Sequence, residues 1–178
     1  MHQSSYEIVK RFRGLVDKVL PNGKLSVLDV GSCGVNGTYK EIFADSDRYI
    51  YTGLDVVPGP NVDFIPADPY CWSELQDGSF DVIISGQAFE HIAFPWRTME
   101  QIGLKLKKGG LVCIVAPSRG PEHRYPVDCW RFYPDGMRAL AEWAKLEVLE
   151  ASTSWGKTGF RDGSDQWGDT FCVMRKGG

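Results

Sequence analysis

Residues 25–37 constrain the fold more than any other stretch: Leu-Ser-Val-Leu-Asp-Val-Gly-Ser-Cys-Gly-Val-Asn-Gly. An apolar run with β-branched members (Leu25, Val27, Leu28, Val30) gives way to a loop holding Gly31, Gly34 and Gly37. Such a run reads as a strand buried on both faces of a parallel sheet. Glycines past its carboxyl end let the backbone turn sharply and approach a ligand closely. Open α/β sheets bind ligands at that edge. Asp29, two residues before the first glycine, can accept hydrogen bonds from loop amides or from a cationic ligand group. A strand–turn–helix with no ligand has the same pattern, so the argument turns on what joins it.

Residues 4–20 read as an amphipathic helix that either covers the sheet or closes the ligand site, opened by a Ser4/Glu7 capping box and ended by Pro21-Asn22-Gly23. Its apolar face is Ile8, Phe12, Leu15, Val16 and Val19. After the glycine loop come a short helix (37–44) and a second strand, Tyr49 to Asp55. Asp55 is either a surface aspartate at a strand end or the acid that accepts both ribose hydroxyls in nucleoside-binding folds. Residues 56–61 hold two prolines and a glycine, leaving no crossover helix before a third strand at 62–65, which ends near Ala67-Asp68. A helical turn is expected at 69–76.

Phe80 to Gly86 is the clearest buried strand, and Gln87-Ala88-Phe89-Glu90-His91 follows it. A helix over 95–108 turns Trp96, Met99, Ile102 and Leu106 inward, carries Lys105, Lys107 and Lys108 in its last turn, and stops at Gly109-Gly110. A fifth strand spans 111–116. The loop 118–133 is long enough to suggest function. Pro134 opens a further helix with Met137, Leu140, Ala141 and Ala144 on its apolar side. Strands at 146–149 and 171–174 close the chain, joined by a loop with Trp155, Phe160 and Trp167 that is either mobile or a rim of the substrate pocket. Alternating strands and helices argue an α/β fold with a mostly parallel sheet and helices on both faces.

The sequence of 178 residues suits one domain, and its net charge of −3 argues against a nucleic-acid partner held by phosphate neutralisation. Five scattered cysteines without a C-x-x-C pair argue against a zinc cluster and suit reduced thiols in a cytoplasmic protein. No apolar run is long enough to span a membrane, and no signal-peptide pattern opens the chain.

As a set, Val27-Leu28-Asp29-Val30-Gly31-Ser32-Cys33-Gly34, Thr52-Gly53-Leu54-Asp55, Ser79-Phe80-Asp81-Val82-Ile83, Phe89-Glu90-His91 and Leu106-Lys107-Lys108-Gly109-Gly110 resemble class I S-adenosylmethionine-dependent methyltransferases, in particular small bacterial enzymes of the methyltransferase type 11 kind. The resemblance covers roughly 25–117. It implies a Rossmann-like, doubly wound, seven-stranded methyltransferase fold with a C-terminal antiparallel hairpin. The whole of 1–178 is then one domain: an N-terminal helix (1–24), a cofactor-binding core (25–117), and a substrate loop, helix and hairpin (118–178).

It further implies that Asp29, Gly31, Ser32 and Gly34 hold the methionine part of S-adenosyl-L-methionine, that Asp55 binds the ribose, and that Val56 packs on adenine. Asp68, beside Ala67, would face the adenine amino group. Ser85, Gly86 and Gln87 would lie near the sulfonium, and His91 on the floor of the site. The sequence departs from the family pattern at Cys33, which takes a frequent glycine position, and in the missing crossover helix. A nicotinamide dinucleotide fits less well. Its fingerprint is Gly-x-Gly-x-x-Gly, and Asp29 would face phosphates unfavourably while favouring an ammonium.

Methyl transfer needs alignment and a dehydrated site, and an oxygen acceptor also needs its proton removed. His91 is either a base or a packing and cofactor-supporting group. His123 and Asp128 are candidate proton acceptors, with Asp128 alternatively bracing the loop through Arg124 or Arg131. Arg124, Tyr125, Trp130 and Arg131 suit a polar ring such as a sugar. The expected reaction is O-methylation of a saccharide or small polar metabolite, without a metal, by a monomer or homodimer, giving S-adenosyl-L-homocysteine as product. A nucleic-acid methyltransferase and a catalytically silent binding protein on the same fold are the alternatives.

Overall fold

The computed structural model describes residues 2–35, 37–44 and 46–178; Asn36 of the glycine loop lies outside them. Six strands form one sheet: β1 Leu25–Val30, β2 Tyr49–Leu54, β3 Phe80–Gly86, β4 Leu106–Pro117, β5 Leu146–Thr153 and β6 Asp169–Lys176, in the order β2-β1-β3-β4-β6-β5. The first four are parallel, and β6 enters antiparallel between β4 and β5. The helices are α1 Gln3–Val19, α2 Lys40–Ala44, α3 Pro95–Lys105 and α4 Pro134–Trp143. This is the expected doubly wound α/β architecture with its C-terminal antiparallel hairpin.

Both faces of the sheet are covered. One core packs Leu28, Ile83, Val112 and Ile114 against Met99 and Ile102 of α3 and Met137 and Ala141 of α4. The other packs Val27, Val82, Ile84 and Cys113 against Val9, Phe12 and Val16 of α1 and Ile42 and Phe43 of α2. Leu25 and Val27 of β1 feed one core and Leu28 and Val30 the other, which explains why apolar residues stand at both odd and even positions.

Several local expectations are corrected. The third strand shrinks to one parallel bridge, Leu54 with Phe64, so six strands rather than seven carry the sheet. Pro58 and Pro60 hold the preceding segment out of the ladder. Residues 69–76 form turns without a helix. Helix α3 ends at Lys105, whose ammonium is drawn to the Leu75 carbonyl (2.8 Å) and Asp77 (2.6 Å), and Leu106 is already extended. Gly109-Gly110 instead form a bulge within β4, with Gly109 at φ +78°, while Lys107 pairs with Asp81 at 2.8 Å. Trp96 stays 37% exposed, and the buried stripe of α1 is Ser5, Val9, Phe12 and Val16, with Ile8 and Leu15 partly buried against the same core and Val19 exposed.

The capping box also fails. The Ser4 hydroxyl donates to Asp169 (2.5 Å) instead of capping its own helix. The free amides of the first turn find distant acceptors: Gln3 N–H donates to Asp162 Oδ2 (2.6 Å) and Ser4 N–H to Ser164 Oγ (3.3 Å).

At Gly53, in β2, there is no room for a side chain: a Cβ would collide with the Asn61 carbonyl oxygen and lie 2.6 Å from Ser32 Oγ. Gly53→Ala should lower stability by about 1–3 kcal/mol. Gly14, inside α1 with nothing within 4 Å, is the opposite case. Gly14→Ala should raise stability by about 1 kcal/mol. Urea unfolding of the two variants checks the pair of signs.

Candidate functional site

The carboxyl ends of β1, β2 and β3 meet at one edge of the sheet. Asp29 is 2% exposed there and accepts a hydrogen bond from the Tyr51 hydroxyl (2.5 Å). Its other oxygen, Oδ1, is buried with no hydrogen-bond partner among the described residues, and so is Ser32 Oγ. Burial pushes the Asp29 carboxyl up to about 7; the Tyr51 hydrogen bond opposes this, and the charge of Asp55 adds to it. Between them Gly31 sits at φ +82°, against Ala88.

Asp55 ends β2 as expected. One of its oxygens accepts the Cys33 amide (3.0 Å) and the other the Val56 amide (2.7 Å), which ties the end of β2 to the glycine loop. Residues 56–61 fold back over that loop: Gly34 N–H donates to the Pro60 carbonyl (3.0 Å), and Gly59 abuts Cys33 Sγ. Val56 and Val57 remain 56% and 50% exposed. Asp68 is exposed and accepts the Tyr70 amide (2.7 Å), and the Ala67 amide donates to Glu74 (3.0 Å), so both belong to a local turn after the bridge.

At the end of β3, Ser85 is fully buried, and its hydroxyl clips β3 to β1 by donating to the Val30 carbonyl (2.7 Å). Tyr39 lies over Gly86, so no Cβ fits there. Gln87, at φ +56°, donates through its side-chain amide to Asp169 (2.9 Å).

Beyond Gln87 the chain turns through Phe89–His91 and meets the long loop. His91 Nδ1 is 2.6 Å from the Val127 carbonyl, and the His91 and His123 rings are 4.8 Å apart. Tyr125 and Trp167 complete an aromatic cluster around them. Glu90 is fully buried behind both imidazoles, its two carboxyl oxygens without a hydrogen-bond partner among the described residues, and burial pushes it up to about 8.

Asp128 is gripped by Arg131 through two hydrogen bonds (2.6 and 2.8 Å) and accepts the His123 amide (2.8 Å). That grip holds its carboxyl well below the usual range, so Asp128 braces the loop through Arg131, while Arg124 pairs with Glu122 (2.8 Å). Burial and the neighbouring His91 lower the His123 imidazole. Trp130 donates its indole N–H to the Ile92 carbonyl (3.0 Å), and Tyr125 is 57% exposed.

A family model described as a methyltransferase domain matches residues 3–150. The chain belongs to the class I S-adenosylmethionine-dependent methyltransferases. No curated protein matches this methyltransferase in sequence. Among solved structures it is similar to the 1,6-didemethyltoxoflavin-N1-methyltransferase of Burkholderia thailandensis, with TM-score 0.69 and 17% identity over 99% of this chain and 78% of that one. It is also similar to phosphoethanolamine N-methyltransferase 2 of Haemonchus contortus, with TM-score 0.66 and 14% identity over 94% of this chain and 52% of that one. The [4+2]-cyclase SpnF aligns at TM-score 0.68 and 18% identity over 94% of this chain and 81% of that one. At these identities the likeness is one of fold. No described helix of this methyltransferase is long and apolar enough to cross a membrane.

Sequence reasoning quoted Glu90 without giving it a role, and passed over Tyr39, Tyr51 and Asp169. An acid beside a histidine just past a buried strand was a usable signal for Glu90. The other three declare themselves only once strands distant in sequence lie side by side.

Asp29 gives a test by titration. Between about pH 4, where an unfolded aspartate ionises, and about 7, the folded chain keeps a proton that the unfolded chain releases. Stability therefore falls as pH rises through that window, by at most about 4 kcal/mol. Asp29→Asn should flatten this slope and be the more stable chain at pH 7.5, as read from urea midpoints across the range.

Proposed function

We propose that this methyltransferase transfers a methyl group to a hydroxyl oxygen of a saccharide or other small polar metabolite. The observation that carries the cofactor half is the pair of buried, unpartnered polar atoms, Asp29 Oδ1 and Ser32 Oγ, flanking Gly31 at the carboxyl edge of β1. Buried polar groups are seldom left unsatisfied, so these two await a ligand's donors and acceptors. Asp29 suits an α-ammonium, which would draw off its proton and fix it as the anion. Asp55 keeps lone-pair capacity for ribose hydroxyls beyond its amide bonds. Exposed Val56 offers an apolar surface to adenine, and Ala67 and Asp68 would border it. Gly86 and Gln87 close the far side, with Ser85 holding β3 against β1.

S-adenosyl-L-methionine, when bound, supplies an electrophilic methyl group and leaves as S-adenosyl-L-homocysteine. The chain's part is alignment and exclusion of water. Loop 118–133 brings His123 over His91, and the Asp128–Arg131 pair holds it there. That centre, walled by Tyr125 and Trp167, is where an acceptor hydroxyl would sit. Trp130 and Arg124 are exposed on the same loop, while the Arg131 guanidinium is taken up by Asp128 and the Pro121 carbonyl. Exposed aromatic faces and cations suit a polyhydroxylated ring better than an apolar one.

Calorimetric titration with S-adenosyl-L-methionine should show saturable binding, weakened about tenfold or more in Asp55→Ala, and no response to a nicotinamide dinucleotide. Screening radiolabelled methyl transfer onto monosaccharides and hydroxylated metabolites should then find an acceptor. With it, His123→Ala should lose about 100-fold or more in kcat at unchanged cofactor affinity. Transfer only to RNA or DNA, or binding without transfer to any acceptor, would overturn the reading.

A further inference from the structure

We infer that Glu90, His91 and His123 form a mononuclear site for a first-row divalent transition metal, next to the place where the acceptor hydroxyl would lie. One ligand atom from each residue lies within 4.8 Å of the other two. Glu90 Oε1 is 3.6 Å from His91 Nε2 and 4.0 Å from His123 Nε2. Ligands about 2.1 Å from a tetrahedral zinc are about 3.4 Å apart, so small side-chain rotations close the site.

The protonation pattern argues for a cation at the centre. The Val127 carbonyl can only accept a hydrogen bond, so the His91 Nδ1 facing it at 2.6 Å carries the proton. In the neutral ring the lone pair is then on Nε2, turned toward Glu90. His123 is placed more loosely: its Nδ1 lies 3.4 Å from Asp128 Oδ2 without a hydrogen bond, and its Nε2 is 4.0 Å from Glu90 Oε1. Each imidazole thus has an oxygen behind it, as metal-bound histidines do, and Asp128 is itself held by Arg131. The His91 lone pair, the His123 ring and a buried carboxyl group with no hydrogen-bond partner among the described residues face one another. A single proton on Glu90 can satisfy one of the two rings, whereas a metal ion satisfies all three ligands at once.

Two nitrogens and one carboxylate oxygen suit zinc or iron(II) and leave coordination positions open. An acceptor hydroxyl bound there would be oriented and made more acidic. That use of the metal rests on the proposed methyl transfer; the metal site itself does not.

The test uses the purified full chain, stripped with a chelator and re-equilibrated with zinc. Mass spectrometry should find one zinc per chain. Cobalt(II) should give a visible d–d spectrum without a thiolate charge-transfer band, because no cysteine is among the ligands. Glu90→Gln and His123→Ala should each weaken zinc binding by about 100-fold or more, and Asp128→Asn by about tenfold. His123 lies in a partly exposed loop, so His123→Ala decides the matter if Glu90→Gln does not fold. Substoichiometric zinc, affinity unchanged in these variants, or a thiolate band overturns the inference. The same samples are titrated with S-adenosyl-L-methionine. Zinc binding without cofactor binding overturns the proposed transfer alone, and the reverse result overturns the metal site alone.

Discussion

A strand covered on both faces can place a polar side chain only where the covering ends. β1, β3 and β4 are enclosed between α1 and α2 on one side and α3 and α4 on the other. Their charged and polar members therefore sit at the strand ends: Asp81 and Lys107 pair at the amino edge, while at the carboxyl edge lie Asp29 near the end of β1, Ser85 near the end of β3, and Glu90 one short turn beyond. Parallel order puts these ends side by side, so one geometric rule assembles groups from three separate stretches of sequence. Burial then does the chemical tuning, raising both Asp29 and Glu90 out of the ordinary carboxylate range.

What could be read from the sequence follows from how local each signal is. The apolar runs of β1 and β3 and the glycine loop are written in adjacent residues, and so are Asp29 and Asp55 as strand-end acids. The failures are contacts between distant residues. Ser4 and Glu7 have the spacing of a capping box, yet the Ser4 hydroxyl is taken by Asp169, 165 residues away. Gly109-Gly110 look like a helix stop, but the Lys105 ammonium is held by Leu75 and Asp77, so the helix ends earlier and the glycines shape a bulge. No window of sequence around either feature contains its partner.

The loop 118–133 shows how a long irregular segment holds a defined shape. Arg131 spans Asp128 and the Pro121 carbonyl (2.8 Å), and the Cys129 amide reaches back to the Glu90 carbonyl (2.7 Å). Part of its backbone is thus bonded to its own side chains and to the turn after β3, which gives the loop a defined path with aromatic edges. The fold by itself does not choose the acceptor.

The first turn of α1 is capped from the far end of the sequence, by Asp162 and Ser164, and its Ser4 is bonded to Asp169 at the start of β6. These contacts close a loop of about 160 residues, whose ordering entropy must be met before they contribute anything. The first turn of α1 therefore has its caps only while β6 and the segment before it are in place. The edge of the domain that carries the polar site is thereby tied together by groups from both ends of the sequence, so a change at Asp162, Ser164 or Asp169 is felt at the start of α1.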